Sequence, residues 1–342
     1  MVSSAGGSVT SVPVSLVVLT APSIGAVSSP SPLSLTVSQP AVASGSVSFT
    51  NSGQTPTTLS LSVNGGLSLS GTSLNCPASG SCGSVSVSSG SAAGAYSGTL
   101  GMSSSAGGSV TSVPVNFTVL TPPNVNPSTS QLSSANTSPT PASGSVSFSN
   151  SGQTPTTLSL SVSGGNSLSA STLSCPASGS CGSVTVTSPT AAGTYNGTLS
   201  VASSAGGSAG SVGIAFSVAP PPSISIAPTS QDFGLVYDSQ TQVRTLTVTN
   251  GGGAGTMSVV FTTGNSKQYS VQSGGTCTPG GLMAANSSCT LMVVQTGILI
   301  CGSSVGTVPL STTLRVTVGT SSATSALSGS NNRGKTGMGV CG

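Results

Sequence analysis

The sequence predicts an all-β chain of β-sandwiches in series, and three observations predict it. A unit of fixed length repeats: GSVSFTNSGQTPTTLSLSV at 45–63 returns as GSVSFSNSGQTPTTLSLSV at 144–162, CPASGSCGSV at 76–85 returns at 175–184, and AAGAYSGTL at 92–100 is echoed by AAGTYNGTL at 191–199. Cys76 and Cys175, Cys82 and Cys181, and Tyr96 and Tyr195 are each 99 positions apart, so the copies align without insertion and the unit is a domain. Inside each copy, apolar residues alternate with Ser and Thr as in half-buried strands, turn residues recur about every 8 to 12 positions, and no stretch has a helical period.

Taken in order, residues 1–22 align with 102–123, the last hairpin of the repeat. They read as an orphan C-terminal strand of a preceding repeat, or as a donor strand that completes a neighbouring subunit, with Val12, Val14, Leu16 and Val18 as its apolar face. VPVSLVVLTAP at 12–22 also has the look of a secretory signal core. No Lys or Arg precedes it, and VPVNFTVLTPP returns at 113–123 inside the repeat, so a strand is the better reading and any export signal is expected upstream of Met1 or not at all. The first domain spans 23–122. Val47 and Phe49 alternate on one face, NSGQTP at 51–56 turns the chain, and Leu59, Leu61 and Val63 alternate again, which predicts a hairpin with one apolar face. Turns follow at Asn64-Gly65-Gly66 and in the loop from Cys76 to Cys82, then strands at 84–87, from Tyr96, and at 113–120. About seven short strands in roughly 100 residues is the count of an immunoglobulin-like sandwich.

The second domain, 123–220, repeats this pattern. Phe49, Tyr96 and Phe117 in the first copy and Phe148, Tyr195 and Phe216 in the second are the expected core anchors, each copy having only two Phe and one Tyr. Gly94-x-Tyr96 and Gly193-x-Tyr195 at the start of the penultimate strand suggest a tyrosine corner. PP at 122–123 and PPP at 220–222 mark stiff joints, which predicts a linear rod. A third domain at 221–330 and a flexible tail at 331–342 complete the expected division.

Only seven charged side chains occur, and none of them before Asp232. A net charge of +3 confined to residues 232–342 argues against nucleic acid as a partner, since phosphate binding needs clustered Lys and Arg. No apolar run approaches twenty residues, so no helical membrane span is expected. Eight cysteines fall as the close pairs Cys76/Cys82, Cys175/Cys181 and Cys277/Cys289, with Cys301/Cys341 as a fourth pairing in the last domain. One local disulfide per domain points to an oxidising compartment, outside the cell or at its surface. With no His and two thiols in each of the first two domains, zinc is disfavoured there; four cysteines leave a zinc site open as the alternative in the third.

PTSQDFGLV (228–236), TQVRTLTVTNGGGAG (241–255) and TCTPGGLMAANSSCTLMVV (276–294) resemble the bacterial choice-of-anchor D group, immunoglobulin-like domains related to the abnormal-spindle and hydin type. That resemblance covers about 70 residues of the third domain and implies a disulfide between Cys277 and Cys289. The first two domains are similar to looser bacterial immunoglobulin-like repeats through Gly-x-Tyr-x-Gly-Thr. Such domains belong to large exported surface proteins and carry no catalysis, although no recognisable anchor follows Ser330.

Without His, Ser-His-Asp and Cys-His machinery is excluded. Asp232 and Asp238 are the only side-chain carboxylates; as a glycosidase pair they lack a supporting polar shell, and Asp232 reads as a hydrogen-bond acceptor at a turn. The string from Gly329 to Lys335-Thr336 fits the phosphate-loop pattern but lacks room for a following helix. Asn116, Asn136, Asn196 and Asn286 head glycosylation sequons, which arise often by chance in so Ser- and Thr-rich a chain. Two carboxylates make calcium stiffening a poor expectation, and no cofactor is expected. The function expected is a non-enzymatic extracellular structural or adhesion stalk of a bacterial surface protein, whose partners are other protein copies or cell-surface components. The alternatives are a filament subunit, a homo-polymer joined by N-terminal strand donation, and an accessory binding module of a secreted hydrolase.

Overall fold

The computed structural model describes residues 11–298, 300–302 and 306–335, and these form three β-sandwiches whose only helical turn is a 3-10 turn at Ser266–Gln268. The first sandwich has nine strands: β1 (Ile24–Ser29), β2 (Leu33–Ser38), β3 (Ser44–Asn51), β4 (Thr57–Val63), β5 (Ser68–Leu69), β6 (Ser73–Cys76), β7 (Gly80–Ser88), β8 (Gly94–Ser104) and β9 (Val113–Leu120). One sheet runs β1-β3-β7-β5 and the other β2-β9-β8-β4-β6. All pairings are antiparallel except that of β2 with β9, where Leu33 to Ser38 lie in parallel register with Val115 to Leu120. This is an immunoglobulin-like arrangement, with the first strand of the domain divided between the two sheets.

One expectation needs correction. β3 and β4 are not a hairpin: β3 pairs with β1 and β7, β4 pairs with β6 and β8, and the NSGQTP segment carries the chain across from one sheet to the other. Alternation tells which side chains face inward, but is the same whether two apolar faces lie side by side or face each other across a core. Val47 and Phe49 face Leu59 and Leu61 in that second way, all within one buried cluster.

Residues 124–219 build the second sandwich with the same two sheets, plus a two-residue strand, Ser208–Ala209, in parallel register with Asn124 and Val125. The third pairs the sheet of Ile224–Ala227, Thr241–Asn250, Ser287–Thr296 and Tyr269–Gln272 with the sheet of Ser230–Val236, Ser321–Lys335, Gly306–Val318, Gly255–Phe261 and Leu282–Met283. Its last strand extends to Lys335, past the expected start of a tail at 331, because Gly306 to Val318 pairs with it from Ser321 to Arg333 and the short strand Ile300–Gly302 runs parallel to its last three residues.

Phe49, Phe117, Phe148 and Phe216 are among the largest fully buried side chains of the first two sandwiches, and burial of each contributes roughly 1.5–3 kcal/mol. Tyr96 and Tyr195 are half-buried, and each donates its hydroxyl to the carbonyl four residues earlier, of Ala92 at 2.9 Å and Ala191 at 2.8 Å. In the third sandwich Phe233 meets Tyr269 edge-on at 5.4 Å, with the Arg244 guanidinium 5.9 Å above the Phe233 ring.

Candidate interaction sites at the joints and the leading strand

The segment that crosses between sheets ends a strand with Asn-x-Gly in every sandwich: Asn51-x-Gly53, Asn150-x-Gly152 and Asn250-x-Gly252. Asn normally reads as a turn residue, yet these three are buried, at 2 %, 2 % and 0 % exposure. Asn150 Nδ2 donates to the carbonyls of Thr154 (2.9 Å) and Pro176 (3.0 Å), and its Oδ1 accepts from the amides of Asn124 (3.1 Å) and Gly152 (2.9 Å). Asn51 makes the same four bonds to Thr55, Pro77, Ser23 and Gly53, and Asn250 to Gly253, Ala284, Ser223 and Gly252. Two donors and two acceptors are a fully used amide. Each Asn thereby ties together the entering chain, the crossing segment and the loop that carries Pro77, Pro176 or Ala284. Sequence reasoning passed over these residues; the signal available was the recurrence of Asn-x-Gly at the end of the same strand three times.

The glycine of that motif has its own reason. A Cβ on Gly53 would strike the Ala21 carbonyl, one on Gly152 the Pro122 carbonyl and one on Gly252 the Pro221 carbonyl, so the incoming linker lies directly on this backbone. Beyond it, a reciprocal clasp forms at two joints. Thr121 N–H donates to Gln153 Oε1 (3.1 Å), Gln153 N–H to Thr121 Oγ1 (2.9 Å), and Thr154 Oγ1 to the Thr121 carbonyl (2.8 Å). With that proton committed to the carbonyl, Thr154 Oγ1 accepts from the Ser38 hydroxyl of the first sandwich at 2.8 Å. Thr20 repeats the three linker bonds with Gln54 and Thr55, at 3.3, 3.0 and 2.8 Å. At the joint into the third sandwich the corresponding residues are Pro220, Gly253 and Ala254, which supply neither the hydroxyls nor the side-chain amide, and the contact is instead a Gly253 N–H to the Pro221 carbonyl at 3.1 Å.

Ahead of the first clasp, residues 11–21 belong to no strand. The expected strand at 12–22 is therefore unformed within the described chain: a ladder needs a partner, and every described sandwich fills the position from its own sequence. Val12, Val14, Leu16 and Val18 are 79–91 % exposed.

The cysteines divide in two groups. Cys76–Cys82, Cys175–Cys181 and Cys277–Cys289 are disulfides, so the third-domain zinc alternative loses two of its four thiolates. Cys341 lies outside the described residues, and with it the pairing with Cys301. Asp232 Oδ1 accepts from the Gly234 amide (3.1 Å) and Ser328 Oγ (3.2 Å), a turn role. Gly329 to Lys335 run in a β-strand, which points no row of amides at a phosphate; Thr336 lies outside the described residues. Asn116, Asn196 and Asn286 are exposed, and Asn136 is exposed with its Nδ2 bonded to the Pro141 carbonyl. A cleft of about 490 Å3 between Val259, Phe261, Val271 and Pro279 is lined by no titratable side chain, its Cys277 being held in a disulfide. Among the described residues no His, Cys, Asp and Glu group could hold a metal, and no helix is long and apolar enough to cross a membrane.

No protein-family model matches the chain, and no curated protein does. Solved structures similar to it include a three-immunoglobulin-domain fragment of titin, an E-to-A variant (11 % identity, 91 % of this chain and 99 % of that one, TM-score 0.37). Others are the human desmocollin-1 ectodomain (10 %, 80 % and 55 %, TM-score 0.40) and invasin, a bacterial integrin-binding protein (14 %, 90 % and 60 %, TM-score 0.33). The fold assignment stands on the strand order and pairing given above.

Proposed function

We propose that this chain is a non-enzymatic spacer, a stalk segment of an exported, bacterial surface protein, with the three sandwiches set in line. The observation that supports it is the joint: linker and Asn-x-Gly recur at all three sandwiches and the clasp at the first two with the same atoms, as they would where length and direction are the product of the structure. Local disulfides suit an oxidising exterior, and 231 residues without a charged side chain leave no field with which to steer a charged ligand. Its partners on this reading are other protein copies or cell-surface components reached through regions at the ends of the stalk.

Small-angle scattering tests it. The longest strand of the first sandwich, Gly94–Ser104, has 11 residues and spans about 35 Å at about 3.3 Å per residue. Three such units in line reach roughly 100 Å, with a radius of gyration about 30 Å, against about 20 Å for a compact 342-residue globule. A value near 20 Å refutes the stalk. A filament subunit joined by strand donation is the second reading, favoured by the exposed apolar face of residues 12–18.

A further inference from the structure

We infer that residues 12–20 are the closing strand of a further sandwich, and that their partner is an immunoglobulin-like unit of the same sequence class as residues 23–101 whose last-strand position is open. The inference rests on the stalk reading and names the neighbour that this end of the stalk receives.

Three observations carry it. Residues 1–22 match 102–123 at 17 of 22 positions, and the first sandwich shows where that sequence goes: Val113–Leu120 is its closing strand, antiparallel to β8 and parallel to β2. The inward side chains there, Val115, Phe117 and Val119, are at most 1 % exposed, while their counterparts Val14, Leu16 and Val18 stand in solvent. Leu in place of Phe keeps an apolar residue at the central position, so the face still suits a core. Finally, Thr20 is already docked on Gln54 and Thr55 as Thr121 is docked on Gln153 and Thr154. In the second case the docked threonine leads directly out of a closing strand seated in the sandwich before it. The joint at Thr20 is thus already built on the side of the first sandwich.

The repeat sets the register. Val18 faces the partner's equivalent of Gly94, Leu16 that of Tyr96 and Val14 that of Gly98 on the penultimate strand, and Val14 and Leu16 lie in parallel with the equivalents of Leu33 and Leu35. A second copy of the described chain does not offer this place. Val113–Leu120, Val212–Ala219 and Ser321–Lys335 close the three sandwiches, each paired on both sides.

The test appends residues 23–101 ahead of Met1 of the full chain, since Met1 corresponds to Met102, and follows amide hydrogen exchange of residues 12–19 in parent and extended chains. The expected result is exchange at least 100-fold slower in the extended chain. Leu16→Asp in the extended chain is expected to restore the parent rate at 12–19 and leave residues 113–120 unchanged. Equal rates in parent and extended chains overturn the inference, as does protection that survives Leu16→Asp. Concentration-dependent polymers of the parent with residues 12–19 protected would place the strand in another copy and overturn it too. A compact parent in scattering would sink the stalk reading and leave the exchange result as it stands.

Discussion

Asn150→Ala isolates the contribution of the buried amide at a joint. The substitution deletes four hydrogen bonds at a residue 2 % exposed and leaves two backbone amides and two carbonyls without partners. At about 1 kcal/mol for each intramolecular bond, the second sandwich loses about 4 kcal/mol. Since about 1.4 kcal/mol is tenfold in an equilibrium constant, the slowest amides of residues 143–218 are expected to exchange roughly a thousand times faster. Amides of β3, β7 and β8 in the first sandwich, which keeps its own Asn51, serve as the internal reference and are expected not to change. Hydrogen exchange read by mass spectrometry resolves the two. Asn150→Asp keeps the acceptor for the two amides but turns an oxygen toward the carbonyls of Thr154 and Pro176, and is expected to do at least as much damage as Ala. An acceleration below tenfold for Asn150→Ala would show that water or loop relaxation replaces the lost bonds, and would refute the keystone role assigned to the amide.

Reduction of Cys76–Cys82 or Cys175–Cys181, which span 6 residues, is expected to cost about 2 kcal/mol in the chain-entropy model, and that of Cys277–Cys289, which spans 12, about 3 kcal/mol. Denaturant unfolding of single Cys-pair-to-Ser variants measures both, and equal losses would count against the loop-length argument. Gln153→Ala with Thr154→Val removes the side-chain bonds of the clasp at the second joint, leaving only the Gln153 N–H on Thr121 Oγ1, and is expected to broaden the distance distribution between labels on the first two sandwiches, with less than about 1 kcal/mol change in the unfolding of either; an unchanged distribution refutes the clasp. Desolvation by burial, and then the charge on Asp232, push the Tyr269 hydroxyl up to about 12 from 10.0. The folded state therefore holds this proton more tightly than the unfolded chain, and the stability it confers is complete below pH 10 and lost as pH rises from 10 to 12. Tyr269→Phe is expected to flatten that loss in an alkaline unfolding series.

The repeat and the alternation of apolar residues made the sandwich content legible, because a period of two is a direct property of strands and a fixed 99-residue spacing is a direct property of tandem domains. Which sheet each strand joins was not legible. The apolar residues of β3 and β4 alternate identically whether the strands are neighbours or face each other, and only long-range pairing with β7 and β8 decides. Asn51, Asn150 and Asn250 escaped for a different reason. Asn at the head of Ser-Gly or Gly-Gly is the composition of an exposed turn, and its burial follows from three segments converging on one amide, which no local window contains. The threonine and glutamine of the clasps lay in the quoted repeat, but polar residues in so polar a chain carry no contrast.

The parallel pairing within each sandwich bears on how such a chain answers tension. The strand near the entry of each domain and its closing strand run in the same direction, over Leu33 to Ser38 with Val115 to Leu120, Gln131 to Thr137 with Gly213 to Ala219, and Ser230 to Val236 with Ala326 to Asn331. A pull on the two ends of the chain draws these partners in opposite directions along their common axis. Every hydrogen bond of the ladder is then sheared at once, whereas an antiparallel hairpin pulled from its open end would release them one after another. Rupture therefore requires a whole ladder to give way together, and it does so separately in each sandwich. A pulled chain would lengthen in discrete steps, with a disulfide-bridged loop of 6 or 12 residues kept out of each extension.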